Sequence, residues 1–95
     1  MTESLQRSWE VTRKHLNAAL NLLPSECQRP VQDGPVARYE DWLSHNELEL
    51  AFDELESIGM ENDCPSEFWQ ELLYAAQNMG LEKHSARCKR KVEHY

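Results

Sequence analysis

Apolar side chains recur at spacings of three, four and seven residues along most of this chain, which is the pattern of one buried face on a helix. In the first segment, LQRSWEVTRKHLNAALNLL, Thr2 or Ser4 can cap the start of such a helix, and Pro24 stops it. Its apolar positions are Leu5, Trp9, Leu16, Ala19, Leu20 and Leu23. Residues 24–35 then hold three prolines and one glycine, and they predict a loop.

Three later segments predict helices with different characters. The second helix, VARYEDWLSH, is short and has an apolar face formed by Tyr39, Trp42 and Leu43. The fourth begins at Pro65 or Ser66 and ends at Gly80, which together with Leu81 has the form of a Schellman ending. Its wide apolar stripe predicts a central position in the fold: Phe68, Trp69, Leu72, Leu73, Ala75, Ala76 and Met79. The last segment, EKHSARCKRKVEHY, predicts a basic fifth helix.

The third helix lies within HNELELAFDELESIG, residues 45–59. Asn46 is the candidate N-cap, Glu49 then occupies the third helical position, and Gly59 is the candidate C-cap. At about 100° per residue, the apolar residues fall on one side, which we expect to face the core: Leu48, Ala51, Phe52 and Leu55, with Ile58 at the edge.

These patterns together predict an all-α protein, a compact bundle of four to five helices forming a single domain over residues 1–95. No segment shows the alternation of a strand. We expect five large side chains to be buried in the core: Trp9, Trp42, Leu55, Trp69 and Leu72.

Charge is distributed very unevenly, and the formal net charge is −7. Residues 39–82 contain twelve acids and no Lys or Arg, whereas residues 83–95 contain five bases and one acid. The acidic balance argues against direct binding to nucleic acid or to an anionic membrane. The start is polar, no apolar run could span a bilayer, and the three cysteines form no CxxC motif. We therefore expect a cytoplasmic protein with reduced thiols.

The polar side of the third helix is the candidate partner-binding surface. Leu50 projects opposite the core stripe, between two acidic flanks. An apolar anchor within a ring of carboxylates suits a basic protein partner, whereas the simpler interpretation is a solvated face with one stray leucine. The candidate residues are Glu47, Glu49, Leu50, Asp53, Glu54, Glu56 and Ser57.

Catalytic and metal-binding patterns are weak. No Glu stands three residues before any of the four histidines, as di-iron carboxylate bundles require. His84 and Cys88 are spaced as half of a zinc site, but no second pair accompanies them. Asp41 and His45 could form a dyad with a nucleophile such as Cys64, although nothing in the sequence places the three together. We therefore expect no enzyme activity, cofactor, metal or small-molecule substrate.

The pattern YEDWLSHNELELAFDELESIG, followed by P-x-x-FW-x-x-LL-x-AAQNMGL, resembles small all-helical immunity proteins of bacterial polymorphic toxin systems, including the MafI-type and contact-dependent growth inhibition systems. The resemblance covers residues 39–81 and rests most on the His-Asn-Glu junction. It implies a cytoplasmic bacterial protein that binds and neutralises a cognate toxin. Binding residues in such families vary with the toxin, so none is transferred to this chain.

Such toxins are often nucleases, and a nuclease has a basic cleft because it must attract phosphates. An acidic helical surface would compete for that cleft. On this interpretation, the repulsion among the carboxylates of the third helix is relieved only when the partner's Lys and Arg side chains arrive. The alternative is an acidic adaptor or regulatory module that binds a basic cellular protein.

Overall fold

The computed structural model describes residues 2–24, 34–62 and 64–93, with side chains described from Ser8 onward in the first range. Within these ranges the chain forms five helices and no strand, which confirms the all-α prediction. The helices are α1 (Thr2–Asn21), α2 (Pro35–Ser44), α3 (Leu48–Glu61), α4 (Ser66–Met79) and α5 (Glu82–Glu93).

The first helix ends where the sequence predicts. The amides of Leu22 and Leu23 donate to the carbonyls of Ala19 and Leu20, at 3.0 and 3.2 Å, which closes the last turn before Pro24. Most of the loop predicted at 24–35 lies outside the described residues, as do the side chains of the candidate caps Thr2 and Ser4. Pro35 is the first residue of α2, a position where its missing N–H leaves no helical bond unmade.

Helix α4 is central, as its wide apolar stripe predicts. It packs against α1, α3 and α5, while α2 packs on α3. The buried side chains form one cluster to which every helix contributes: Leu16 from α1, Tyr39 from α2, Phe52 from α3, Leu72 from α4 and Cys88 from α5. Burying both sides of α4 is the reason that its apolar residues exceed a single narrow stripe.

Three of the five predicted core residues, Leu55, Trp69 and Leu72, are buried, and Trp42 is half-buried against the core. The prediction for Trp9 is wrong, because its side chain is 37% exposed. The reason is that the N-terminal part of α1 extends beyond the end of α4. The side chain of Asn78, the penultimate residue of α4, already contacts the backbone of Ser8, and α1 begins six residues earlier at Thr2. Trp9 therefore stands at the end of the bundle, where little of α4 remains to cover it.

Asn46 ends α2 instead of capping α3, so that prediction is wrong. Its φ of 58° is left-handed, and the amide of Glu47 donates to the carbonyl of Trp42 at 2.9 Å. The amide of Asn46 itself donates to Leu43 at 3.1 Å, which completes a Schellman ending with asparagine in the usual glycine position. Glu47 becomes the N-cap of α3, without a side-chain capping bond.

Gly59 does not end α3, contrary to the sequence prediction. The helix continues to Glu61, and the side chain of Asn62 donates to the carbonyl of Ile58 at 2.8 Å. Gly59 is buried inside the helix, where α3 meets Phe68 and Trp69 of α4.

The Schellman ending predicted at Gly80 is confirmed. Gly80 has a φ of 72°, and the amide of Leu81 donates to the carbonyl of Ala76 at 2.9 Å. This left-handed turn reverses the chain between α4 and α5 and lets α5 pack back along α4. In the described part of the chain, no helix combines the length and apolar character that a membrane crossing requires.

Candidate protein-binding surface

The predicted division of α3 into a core side and a polar side is confirmed. Every residue assigned to the core side is buried. Leu50 is 40% exposed on the opposite side, and Glu47, Glu49 and Ser57 are exposed as well. The first turn of α3 thus presents a leucine beside two carboxylates, and we call Glu47, Glu49 and Leu50 the Leu50 patch.

Several carboxylates of α3 have partners within the chain. On one flank, Arg87 of α5 donates two hydrogen bonds to the carboxylate of Glu56, at 2.9 and 3.0 Å. His84 Nε2 lies 3.0 Å from Asp53 Oδ1. On the other flank, Arg38 of α2 donates to Glu54 at 3.0 Å. The expectation that only a partner's bases would relieve the repulsion is therefore wrong.

Burial separates these paired carboxylates from those of the Leu50 patch. The Glu56 side chain is only 16% exposed and is held by a bidentate guanidinium, the geometry that makes an ion pair specific. Glu49 is 58% exposed, and its carboxylate lies 3.9 Å from His84 Nε2. Among the described residues, Glu47 has no side-chain partner. Asp53 and Glu54 lie between these extremes.

A structural role also accounts for part of the Leu50 patch. Carboxylates in the first turn of a helix interact favourably with the helix dipole, and Glu49 occupies that turn. This explains the presence of an acid there but gives no reason for an exposed leucine next to it. Leu50 is consequently the residue that most favours a binding role for this face.

A second feature opens at the other end of α3, between α3 and α5. It is a cleft of about 660 Å³ with Trp69 and Met60 among its lining residues, which we call the α3–α5 cleft. Glu56 and Ser57, two residues of the predicted surface, lie here among the bases of α5 and not beside Leu50. Sequence reasoning missed this cleft because it assigned no neighbour to α5; the cluster of bases at residues 87–91 was the available signal.

The candidate zinc pair faces two different environments. The ring of His84 packs edge-on against Phe52, with centroids 5.1 Å apart, and its Nε2 faces Asp53. Cys88 is fully buried in the core. Across residues 2–24, 34–62 and 64–93, no three His, Cys, Asp or Glu side chains lie together in a way that could hold a metal ion.

The structure places the candidate dyad, Asp41 and His45, at the exposed C-terminal end of α2. His45 Nδ1 lies 2.9 Å from the backbone carbonyl of Asp41 and 3.7 Å from its carboxylate, and both side chains are largely exposed. Cys64, the suggested nucleophile, is buried. The histidine contact closes the end of α2 beside Ser44, whose hydroxyl donates to the same carbonyl at 2.7 Å.

Burial raises the pKa of the Cys88 thiol to about 12; Glu56 adds to the rise and Arg87 opposes it. An unfolded thiol has a pKa of about 8.5. Above that pH the unfolded chain loses the proton while the folded chain keeps it, so stability falls between about pH 8.5 and pH 12. Urea unfolding across this range should show a shallower fall for Cys88→Ala than for the wild type. Tyr39, whose pKa burial also raises, titrates in both proteins; equal slopes would contradict the assignment to Cys88.

No protein-family model matches this chain, and no curated protein and no solved structure matches it.

Proposed function

We propose that this protein binds and inhibits a protein toxin, as an immunity protein does, and that the Leu50 patch contacts a basic surface of that toxin, most simply a nuclease domain. The observation that carries the proposal is Leu50, an exposed leucine beside carboxylates on a helix whose other side is buried. The resemblance of residues 39–81 to immunity proteins supports the same conclusion.

The chemistry of the patch suits rapid and specific association. Acidic side chains attract a basic partner before contact and align it, and salt weakens this attraction by screening. An apolar residue at the centre supplies the desolvated contact that slows dissociation. Because Asp53, Glu54 and Glu56 already have partners within the chain, the proposed centre of the interface shifts to Glu47, Glu49 and Leu50.

The test uses the tagged full chain to capture partners from its host, followed by an activity assay of the captured protein. The double variant Glu47→Lys with Leu50→Ala should bind the captured toxin at least roughly tenfold more weakly, since it removes the apolar contact and reverses a charge that has no side-chain partner among the described residues. Reversing Asp53 or Glu54 is a poorer test, because each change would also break a contact with His84 or Arg38.

The matched control is Glu10→Lys with Val11→Ala, which makes the same charge reversal and a similar apolar truncation at exposed positions on α1. It should leave toxin affinity and inhibition within about twofold of the wild type, as surface changes outside an interface usually do. Equal loss in both double variants, or no loss in the Leu50 variant, would place the interface elsewhere.

The adaptor alternative is distinguished by the activity of the captured protein. A toxin whose enzymatic activity is abolished by one equivalent of this protein supports the proposal. A basic cellular protein without toxicity, bound with affinity lost in Glu47→Lys with Leu50→Ala, would favour the acidic adaptor.

A further inference from the structure

The α3–α5 cleft combines an apolar base with walls of opposite charge. Met60 is 61% exposed at the C-terminal end of α3, and Trp69, whose indole is almost fully buried, also lines the cleft. Arg90 and Lys91 line the α5 side, and Glu61 lines the α3 side. Exposed methionine beside an aromatic ring is an adaptable apolar surface of the kind that peptide-binding proteins use.

The bases of the cleft differ in how far they are neutralised. Arg87 is committed to Glu56 through its two hydrogen bonds. Within the described part of the chain, Arg90 and Lys91 have no carboxylate partner, and the Lys91 ammonium lies 5.5 Å from the centroid of the Trp69 ring. Bases in the last turn of α5 do offset the helix dipole, but that role does not require them to line a cleft.

We propose that the α3–α5 cleft is a second binding site, and that its ligand is a peptide segment of a partner protein carrying an apolar side chain next to acidic residues. The apolar side chain contacts Met60, and the acidic residues pair with Arg90 and Lys91. Glu61, on the opposite wall, disfavours the reverse orientation of the segment. The charge preference is opposite to that of the Leu50 patch, so the site does not rest on the toxin-binding proposal.

The form of the cleft favours a peptide over a small ligand. It opens onto solvent between two helices, and Arg90 and Lys91 stand next to each other on its α5 wall, so that more than one acidic group can be engaged at once. A segment lying along the cleft can place successive side chains against these bases, as in recognition of acidic motifs by basic clusters.

The experiment pans a phage-displayed library of random twelve-residue peptides against the full chain. Enriched sequences are synthesised with a fluorescent label, and their dissociation constants are measured by fluorescence anisotropy. We expect peptides with an apolar residue beside acids. Arg90→Glu with Lys91→Glu should weaken their binding roughly tenfold or more, since each change replaces an attraction by a repulsion.

The matched control is Lys83→Glu with Lys89→Glu, which changes the net charge equally on the same helix but at positions that do not line the cleft. It should weaken binding less than about threefold, because exposed charges away from a contact act only through screened attraction. Circular dichroism checks that both variants fold, and Arg90→Gln with Lys91→Gln serves as a milder pair if the reversal unfolds the chain.

The variant Met60→Ala tests the apolar contribution separately from the electrostatic one. It should weaken the binding of the same peptides, whereas Val11→Ala, at an exposed position on α1, should not. Equal weakening by the two charge-reversal pairs would show attraction to net charge alone and overturn the site. Enrichment of basic peptides only, with binding lost in Glu47→Lys, would also overturn it while leaving the Leu50 patch as a binding surface. Failure of the library to yield any binder would also overturn the proposed site in the cleft.

Discussion

Replacing Leu72 with alanine should lower the free energy of unfolding by about 2–5 kcal/mol, the range measured when buried leucines are truncated. Leu72 is fully buried on the central helix α4. Because α4 packs against α1, α3 and α5, a cavity there removes contacts that hold more than one helix pair together. In a chain of 95 residues, such a loss corresponds to a fall in melting temperature of roughly 10 °C or more.

The matched control is Leu50→Ala, which removes the same atoms from a side chain that is 40% exposed. Its effect on the free energy of unfolding should stay within about 0.5–1 kcal/mol. Urea unfolding of both variants, followed by circular dichroism at 222 nm, gives the comparison. Similar losses for Leu50 and Leu72 would show that the division of buried and exposed faces is incorrect.

Replacing Gly59 with alanine should also destabilise the protein, by about 1–3 kcal/mol, which is the usual result of overpacking a core. A Cβ at this position would lie 2.9 Å from Phe68 Cζ and 3.0 Å from Trp69 Cη2, and closer still to Phe68 Cε1. Both rings are buried and stack edge to face, so neither can easily move aside. Helix propensity alone would make the alanine variant more stable by up to about 1 kcal/mol. A loss of stability therefore tests whether Phe68 and Trp69 lie as close to Gly59 as the structure places them.

A double-mutant cycle identifies the cause. Phe68→Leu removes the nearest ring atoms, so Gly59→Ala should cost less in that background than in the wild type. Gly80→Ala provides the contrast: a Cβ there meets no atom within 4 Å, and the cost arises only from a φ of 72°. It should be about 1 kcal/mol and independent of Phe68. A gain in stability from Gly59→Ala would contradict the packing at this glycine.

The two glycines show why local sequence signals predict some helix ends and miss others. At Gly80 the glycine, the following leucine and the end of the apolar stripe coincide, so these sequence signals correctly predict the left-handed helix ending. Gly59 also stands at the end of an apolar stripe. A glycine is needed there for a different reason, because Phe68 and Trp69 of α4 approach too closely to leave room for a Cβ. A single sequence cannot distinguish a glycine that permits a left-handed turn from one that permits close contact between helices.

Asn46 illustrates a related ambiguity between adjacent helices. Asparagine is favoured both as an N-cap and in the left-handed position that ends a helix. The three-residue connection between α2 and α3 allows only one of these roles. Arg13 of α1, which donates to the Asn46 side chain and to the Leu43 carbonyl, stabilises the left-handed one. That contact joins residues thirty-three positions apart and could not be deduced from the local pattern.

The sequence by itself determined the helices and their faces, because helical periodicity is a local property that burial of one side enforces. It also determined the separation of acidic and basic segments and the outward position of Leu50. Only the tertiary structure decided which charges meet: α3 and α5 both pack on α4, so Arg87 of α5 reaches Glu56 of α3, while Glu47 is left without a side-chain partner among the described residues. Electrostatic pairing depends on distances of a few ångströms between residues far apart in the chain, and those distances follow from the packing of α4 in the core.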